Sequence, residues 1–153
     1  MNLDPTDLQL LSLLQDDNRR TVRDLAAAVG VSAPTCLRRM RRLRNKRVIR
    51  ADAALVDPNL VGYGVSAFLE INLHSTSAAA LQQFEGRMKQ HPLVMKCCEI
   101  TGAVDYMLMV IAADLSAFSE FTQEILNADS NIAGLRTHLV MNSVKNEHRL
   151  PLA

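Results

Sequence analysis

Three short stretches near the N-terminus carry apolar residues at helical spacing. In residues 5–15, Leu8, Leu11 and Leu14 recur on one face. Asp4 stands at the cap position and Pro5 in the first turn, where a missing N–H does no harm. A second helix starts after Thr21, with Asp24 three residues on as a variant of the capping box. Val22, Leu25, Ala26 and Val29 form its apolar stripe, and Gly30 supplies the left-handed residue that ends it. Only Val31 separates Gly30 from Ser32, the next cap, and Pro34 opens a third helix. Helix, a three-residue turn beginning with glycine, then helix is the helix-turn-helix arrangement. On the third helix Cys36, Leu37, Met40 and Leu43 share one broad face. Pro34, Thr35, Arg38 and Arg42 fall opposite, with Arg39 and Arg41 on the flanks. Val48, Ile49 and Arg50 read as a short strand, which would make the unit winged.

From residue 64 the period changes. Val65, Ala67, Leu69, Ile71 and Leu73 alternate with Ser66, Glu70, Asn72 and His74, the signature of a half-buried strand. Residues 77–91 read as a helix with Leu81, Phe84 and Met88 on one side. Strands are predicted at 94–101 and 106–112, a helix at 115–127 burying Leu115, Phe118, Phe121, Ile125 and Leu126, and a last strand at 134–141. The order βαββαβ is the ferredoxin-like split βαβ arrangement, so the fold class is α+β. Pro58, Gly62 and Gly64 punctuate the connection, giving a helix-turn-helix domain at 1–50, a linker at 51–63 and a βαββαβ domain at 64–153. Residues 106–111 are apolar on both strand faces. With both helices on one side of the sheet, the other side needs a cover, and a second copy of the chain is the simplest one.

Charge sharpens this picture. The chain of 153 residues has a net charge of +1, but residues 1–50 hold eleven Lys or Arg against five Asp or Glu, and the remainder holds six against eleven. A basic head on an acidic body is expected when only one part meets a polyanion. Arg38, Arg39, Arg41, Arg42, Arg44, Lys46, Arg47 and Arg50 follow one another with no acidic residue before Asp52. A merely solvated helix mixes signs for i,i+4 pairing. This run points instead to a phosphate backbone. Cys36, Cys97 and Cys98 lack the spacing of a disulfide framework or zinc site, so free thiols and no metal are expected. The polar, acidic start is unlike a signal peptide and no apolar run spans a bilayer, which predicts a cytoplasmic protein that meets no membrane.

The whole chain resembles the Lrp/AsnC (feast/famine) family of regulators. The matching stretches include Leu3-Asp4 to Asp7, residues 31–39 with their serine-then-proline start, Leu43, Val48-Ile49, the Gly102-x-x-Asp105-Tyr106 loop and the ending Leu150-Pro151-Leu152. Lys46-Arg47 departs from the glycine usual in that family. The resemblance implies a RAM/ACT-like second domain, a homodimer assembling into tetramers or octamers, double-stranded DNA as partner and an amino acid as effector, with no cofactor. It also implies a nucleoid-associated location.

By the geometry of helix-turn-helix docking, the DNA-contacting set is Ser32, Ala33, Pro34, Thr35, Arg38, Arg39, Arg41, Arg42, Arg44 and Lys46. Arg38 is suited to a guanine edge, and Arg39, Arg41, Arg44 and Lys46 to phosphates. The candidate sensor is the loop Thr101, Gly102, Ala103, Val104, Asp105 and Tyr106. Gly102 permits unusual dihedrals, and Asp105 offers a carboxylate to an ammonium group; the alternative is a hairpin turn in which Asp105 satisfies backbone groups. Thr137 joins this set by the resemblance alone. Two other functions share features with the sequence: a DNA-compacting architectural protein of low specificity, and a tetrapyrrole decarboxylase of related fold. His74, His91, His138 and His148 are scattered, with no catalytic spacing, so no catalytic residue is assigned.

Overall fold

The computed structural model describes residues 2–152. These form two compact units, residues 2–55 together with 145–152, and residues 56–144. The division differs from the sequence expectation at the tail. Residues 145–152 pack with the helices, because the Gln15 side chain brackets the backbone of Leu150 (Leu150 N–H to Oε1 2.7 Å, Nε2–H to the Leu150 carbonyl 3.2 Å) and Arg149 pairs with Asp16 at 2.8 Å.

The first unit comprises α1 (Pro5–Asp16), α2 (Val22–Val29) and α3 (Ala33–Asn45). Each begins at its expected cap. Asp4 and Asp7 form a reciprocal capping box, Thr21 accepts the Asp24 N–H, and Ser32 accepts the Thr35 N–H. Gly30 ends α2 at φ 70°, left-handed as its position demands. Leu10, Leu25, Ala26, Cys36 and Met40 form the buried cluster. The apolar face of α1 is therefore centred on Leu10 and Leu11, with Leu8 and Leu14 only half-buried.

No strand forms at Val48 to Arg50, so the expected wing is absent. Their amides are used to close α3. The Arg47 N–H bonds the Arg44 carbonyl and the Val48 N–H bonds the Leu43 carbonyl, both at 2.9 Å, and the Ile49 N–H also reaches Leu43 at 3.3 Å. This is a Schellman closure whose left-handed position is held by Arg47 at φ 55°.

The second unit opens with a single 3₁₀ turn (Asn59–Val61) and continues as β1 (Val65–Leu73), α4 (Ala78–Gln90), β2 (Val94–Glu99), β3 (Tyr106–Ala112), α5 (Leu115–Ala128) and β4 (Ile132–Leu139). The sheet order is β2-β3-β1-β4, antiparallel throughout, as the βαββαβ reading requires. Ala67, Leu69, Ile71 and Leu73 of β1 and Tyr106, Leu108, Val110 and Ala112 of β3 pack under Phe84 and Met88 of α4 and Phe118, Phe121 and Ile125 of α5. Leu115 and Leu126 are exposed at 61% and 44%, against expectation, because α5 aligns its buried stripe on Phe118, Phe121 and Ile125. β4 starts two residues earlier than expected: Ile132 pairs with Leu73 across a bulge and is buried, so Gly134 lies inside the strand. Cys36 is buried, and Cys97 and Cys98 are half-buried free thiols at neighbouring positions of β2.

Candidate nucleic-acid interface and effector loop

Cys36, Met40 and Leu43 fix which side of α3 faces inward. The opposite side is a shallow depression lined by Pro34, Leu37, Arg38, Arg41, Arg42, Asn45 and Lys46. Arg38 and Arg41 are exposed in it. Among the described residues neither they nor Lys46, Arg47 and Arg50 make an ion pair.

The other arginines of the run are engaged within the protein. Asp7 is wholly buried and receives both Arg39, at 2.9 Å, and Arg42. Arg39 also reaches Asp4 at 2.6 Å and keeps only 22% of its side chain exposed. The Arg39 guanidinium holds the Asp4 carboxyl below the usual carboxylate range, with help from the Asp7 N–H. Arg39 is in turn pushed further up by Asp4 and then Asp7. Arg44 makes a two-pronged contact with Asp52 at 3.0 and 3.2 Å. These placements differ from the sequence-based assignment of Arg39 and Arg44 as open phosphate ligands, whereas Arg42 lines the outward depression as expected while one end of its guanidinium is held by Asp7. The carboxylates that claim Arg39 and Arg42 lie more than thirty residues away, at the cap and in the first turn of α1.

Leu37 is also placed differently: it belongs neither to the buried cluster nor to the hydrophobics packed on it. It and Asn45 are interface candidates that the sequence reading missed. A wheel centred on Cys36, Met40 and Leu43 alone would have put both outside the core. Ser32, Ala33 and Pro34 are exposed at the start of α3, and the Ser32 hydroxyl donates to Thr35 Oγ1 at 2.9 Å.

In the second unit, Thr101, Gly102 and Ala103 form the exposed tip of the β2–β3 connection, with Val104 half-buried. Gly102 adopts φ 125°, a conformation that L side chains rarely take. Asp105 anchors the base of the loop. Its Oδ2 accepts the Leu73 N–H at 2.8 Å, its own N–H reaches the Ile71 carbonyl at 3.0 Å, and its carbonyl accepts the Ile100 N–H at 3.0 Å. One carboxylate oxygen is thus committed to backbone.

Tyr106 does not lie on the loop surface. Its ring is buried against Phe84, with centroids 4.8 Å apart, and its hydroxyl donates to Glu85 Oε1 at 2.8 Å. Burial, then the Glu85 bond, push its ionisation well above the ordinary tyrosine value. Glu85, Lys89, Lys96, Glu99 and Tyr106 share a groove between α4 and β2 in which both charge signs stand side by side. Cys97 lines the same groove, and its thiol is pushed up to about 11, chiefly by burial. The loop at 101–106 flanks this groove through Tyr106; Thr137 sits on β4, the opposite edge of the sheet, and within one chain is not brought to the loop.

An AsnC-type helix-turn-helix model matches residues 3–44, and the Lrp/AsnC ligand binding domain matches residues 66–150. The chain belongs to the Lrp/AsnC family. Similar to this Lrp/AsnC chain is a leucine-responsive regulatory protein of Rhizobium meliloti, 39% identical over 145 residues that cover 95% of this chain and 93% of the relative. A Bkd operon transcriptional regulator of Pseudomonas aeruginosa is 36% identical over 98% of both chains. A Neisseria meningitidis transcriptional regulator solved with L-methionine matches at 31% identity and a TM-score of 0.91, over 99% of this chain and 97% of that one. As a member of the Lrp/AsnC family the protein is a transcriptional regulator, not an enzyme. None of its helices among the described residues is long and apolar enough to cross a membrane.

Proposed function

We propose that this regulator binds double-stranded DNA sequence-specifically through α3, works as a dimer or higher assembly, and responds to an amino acid held beside the β2–β3 loop. The reading rests on one observation above all. Arg38, Arg41 and Lys46 stand unpaired around a single outward depression, while Arg39, Arg42 and Arg44 are paired with carboxylates. Unpaired cations on the exposed side of a recognition helix fit a groove bordered by phosphates. Arg38, in the second turn, is the base reader, and Arg41 and Lys46 are the phosphate ligands.

An amino-acid effector is favoured by the ligand-binding domain and by the methionine complex of the Neisseria relative. The groove beside Tyr106 offers ammonium and carboxylate partners for a zwitterion in Glu85, Glu99, Lys89 and Lys96. The open face of the sheet, with Phe68 41% exposed and Met107, Met109 and Ile111 half-buried, supplies the surface for a second copy. This regulator would act in the cytoplasm, on the nucleoid.

The test is fluorescence anisotropy on a duplex selected by the protein from a random-sequence pool, against scrambled DNA, at fixed salt and with or without the twenty amino acids. A preference for the selected duplex that an amino acid shifts is expected. Tight binding with neither preference nor response would favour an architectural, DNA-compacting role.

A further inference from the structure

We infer that Leu37 is a specificity-determining residue that reads a thymine methyl group in the major groove, beside the base pair read by Arg38. The inference rests on the DNA-binding reading above and deepens it.

The inward direction of α3 is set by Cys36, Met40 and Leu43, all buried. Leu37 lies about 100° round the helix from Cys36, outside the hydrophobic cluster, and it lines the same depression as Arg38 and Arg41. Pro34, three residues before it, and Arg41, four after it, are its neighbours on the helix surface. Leu37 is half-buried, and the apolar surface it leaves open among cations gains nothing from water.

A duplex bordered by phosphates complements the surrounding charge. In its major groove the apolar feature that distinguishes one base from another is the C5 methyl of thymine. Phosphates and sugars offer no comparable sequence-dependent partner, so the open part of a half-buried leucine on a basic face recognises a base rather than the backbone. Because Leu37 and Arg38 are consecutive, with a helical rise of about 1.5 Å between them, the thymine and the guanine that they contact lie within about two base pairs of each other.

The experiment uses the full chain and a duplex that it selects from a random pool, with each thymine replaced in turn by uracil, which differs only in lacking the methyl. The unmodified protein should lose roughly four-fold in affinity at one thymine of each half-site, the effect of one lost methyl contact. Leu37→Ala should bind the thymine and uracil duplexes alike, and Leu37→Met, which restores an apolar side chain of similar volume, should recover the difference. Circular dichroism of both variants checks that the helices remain intact.

A uracil effect that persists undiminished in Leu37→Ala, or no sensitive thymine anywhere in an enriched sequence, would overturn the inference and leave sequence-specific binding standing. A weakening by Leu37→Ala that is equal on both duplexes would assign Leu37 to packing and overturn it as well. If the pool yields no enriched sequence, the specific-binding reading falls and this inference falls with it.

Discussion

Arg47 occupies the left-handed position that closes α3, where glycine is the residue of lowest strain. A side chain with a Cβ is disfavoured there by about 1 kcal/mol. Arg47→Gly should therefore raise the stability of the helical unit by about 0.5–1 kcal/mol, less than the full relief because glycine also gains freedom in the unfolded chain. Urea denaturation of the two proteins measures this; an unchanged or lower midpoint would contradict it. At the same scale, Arg38 and Arg41 divide base reading from phosphate contact. Arg38→Ala should relax sequence preference by roughly ten-fold, whereas Arg41→Ala should weaken selected and random DNA alike and flatten the salt dependence by about one phosphate. Titrations on both DNAs at several salt concentrations separate the two. Identical profiles for both variants would remove the division.

At the scale of elements, α1 and α3 are held together by a carboxylate that the sequence reading did not place in the core. Asp7 is fully buried because Arg39 and Arg42 neutralise it and Asp4 shares Arg39. Removing one member of a buried ion cluster strands the others, so Asp7→Ala should destabilise the unit by about 2 kcal/mol, discounted because both arginines keep some contact with water. Asp4 adds a pH dependence. Its folded carboxyl titrates below its unfolded value, so the stability it contributes is present above the ordinary aspartate pKa and is lost as pH falls through the lowered one. The fall in melting temperature between neutral pH and pH ~3 should be smaller in Asp4→Asn than in the parent. An equal fall in the two would show that Asp4 contributes nothing to it.

Across the whole molecule, the open sheet face of the second unit is the feature that asks for a partner. Phe68 faces out beside Met109 on β3 and His138 on β4, while Glu70 on the same face binds Arg136 at 3.2 Å and His138 at 3.1 Å. An apolar patch with a satisfied polar edge is the composition of a protein interface. Phe68→Glu should place an unpaired charge at its centre and shift the protein toward monomer in light scattering, with the melting temperature of the monomer's own core little changed. A dimer that persists in this variant would move the interface elsewhere. Asp105→Asn belongs to the same scale: it keeps an oxygen for the Leu73 amide but removes the charge, so amino-acid binding measured by calorimetry should weaken while the sheet stays intact.

Much of this protein was legible in its sequence because the relevant physics is local. Caps at Asp4, Thr21 and Ser32, the left-handed Gly30 and the alternation along β1 are all decided within a few residues, and they carry the helix-turn-helix and the first strand of the βαββαβ order with them. What depended on distant parts of the chain was not legible. Which arginines remain open depends on carboxylates of α1 more than thirty residues away. The missing wing depends on α3 taking back the amides of Val48 and Ile49, and the place of Tyr106 depends on Glu85 across the groove. Residue type and spacing determined that the chain has a basic recognition helix and a four-stranded sheet. Only the tertiary structure decided which of its charges are spent on the fold and which are left for a partner, because an ion pair is set by the distance between charges in space, not along the chain.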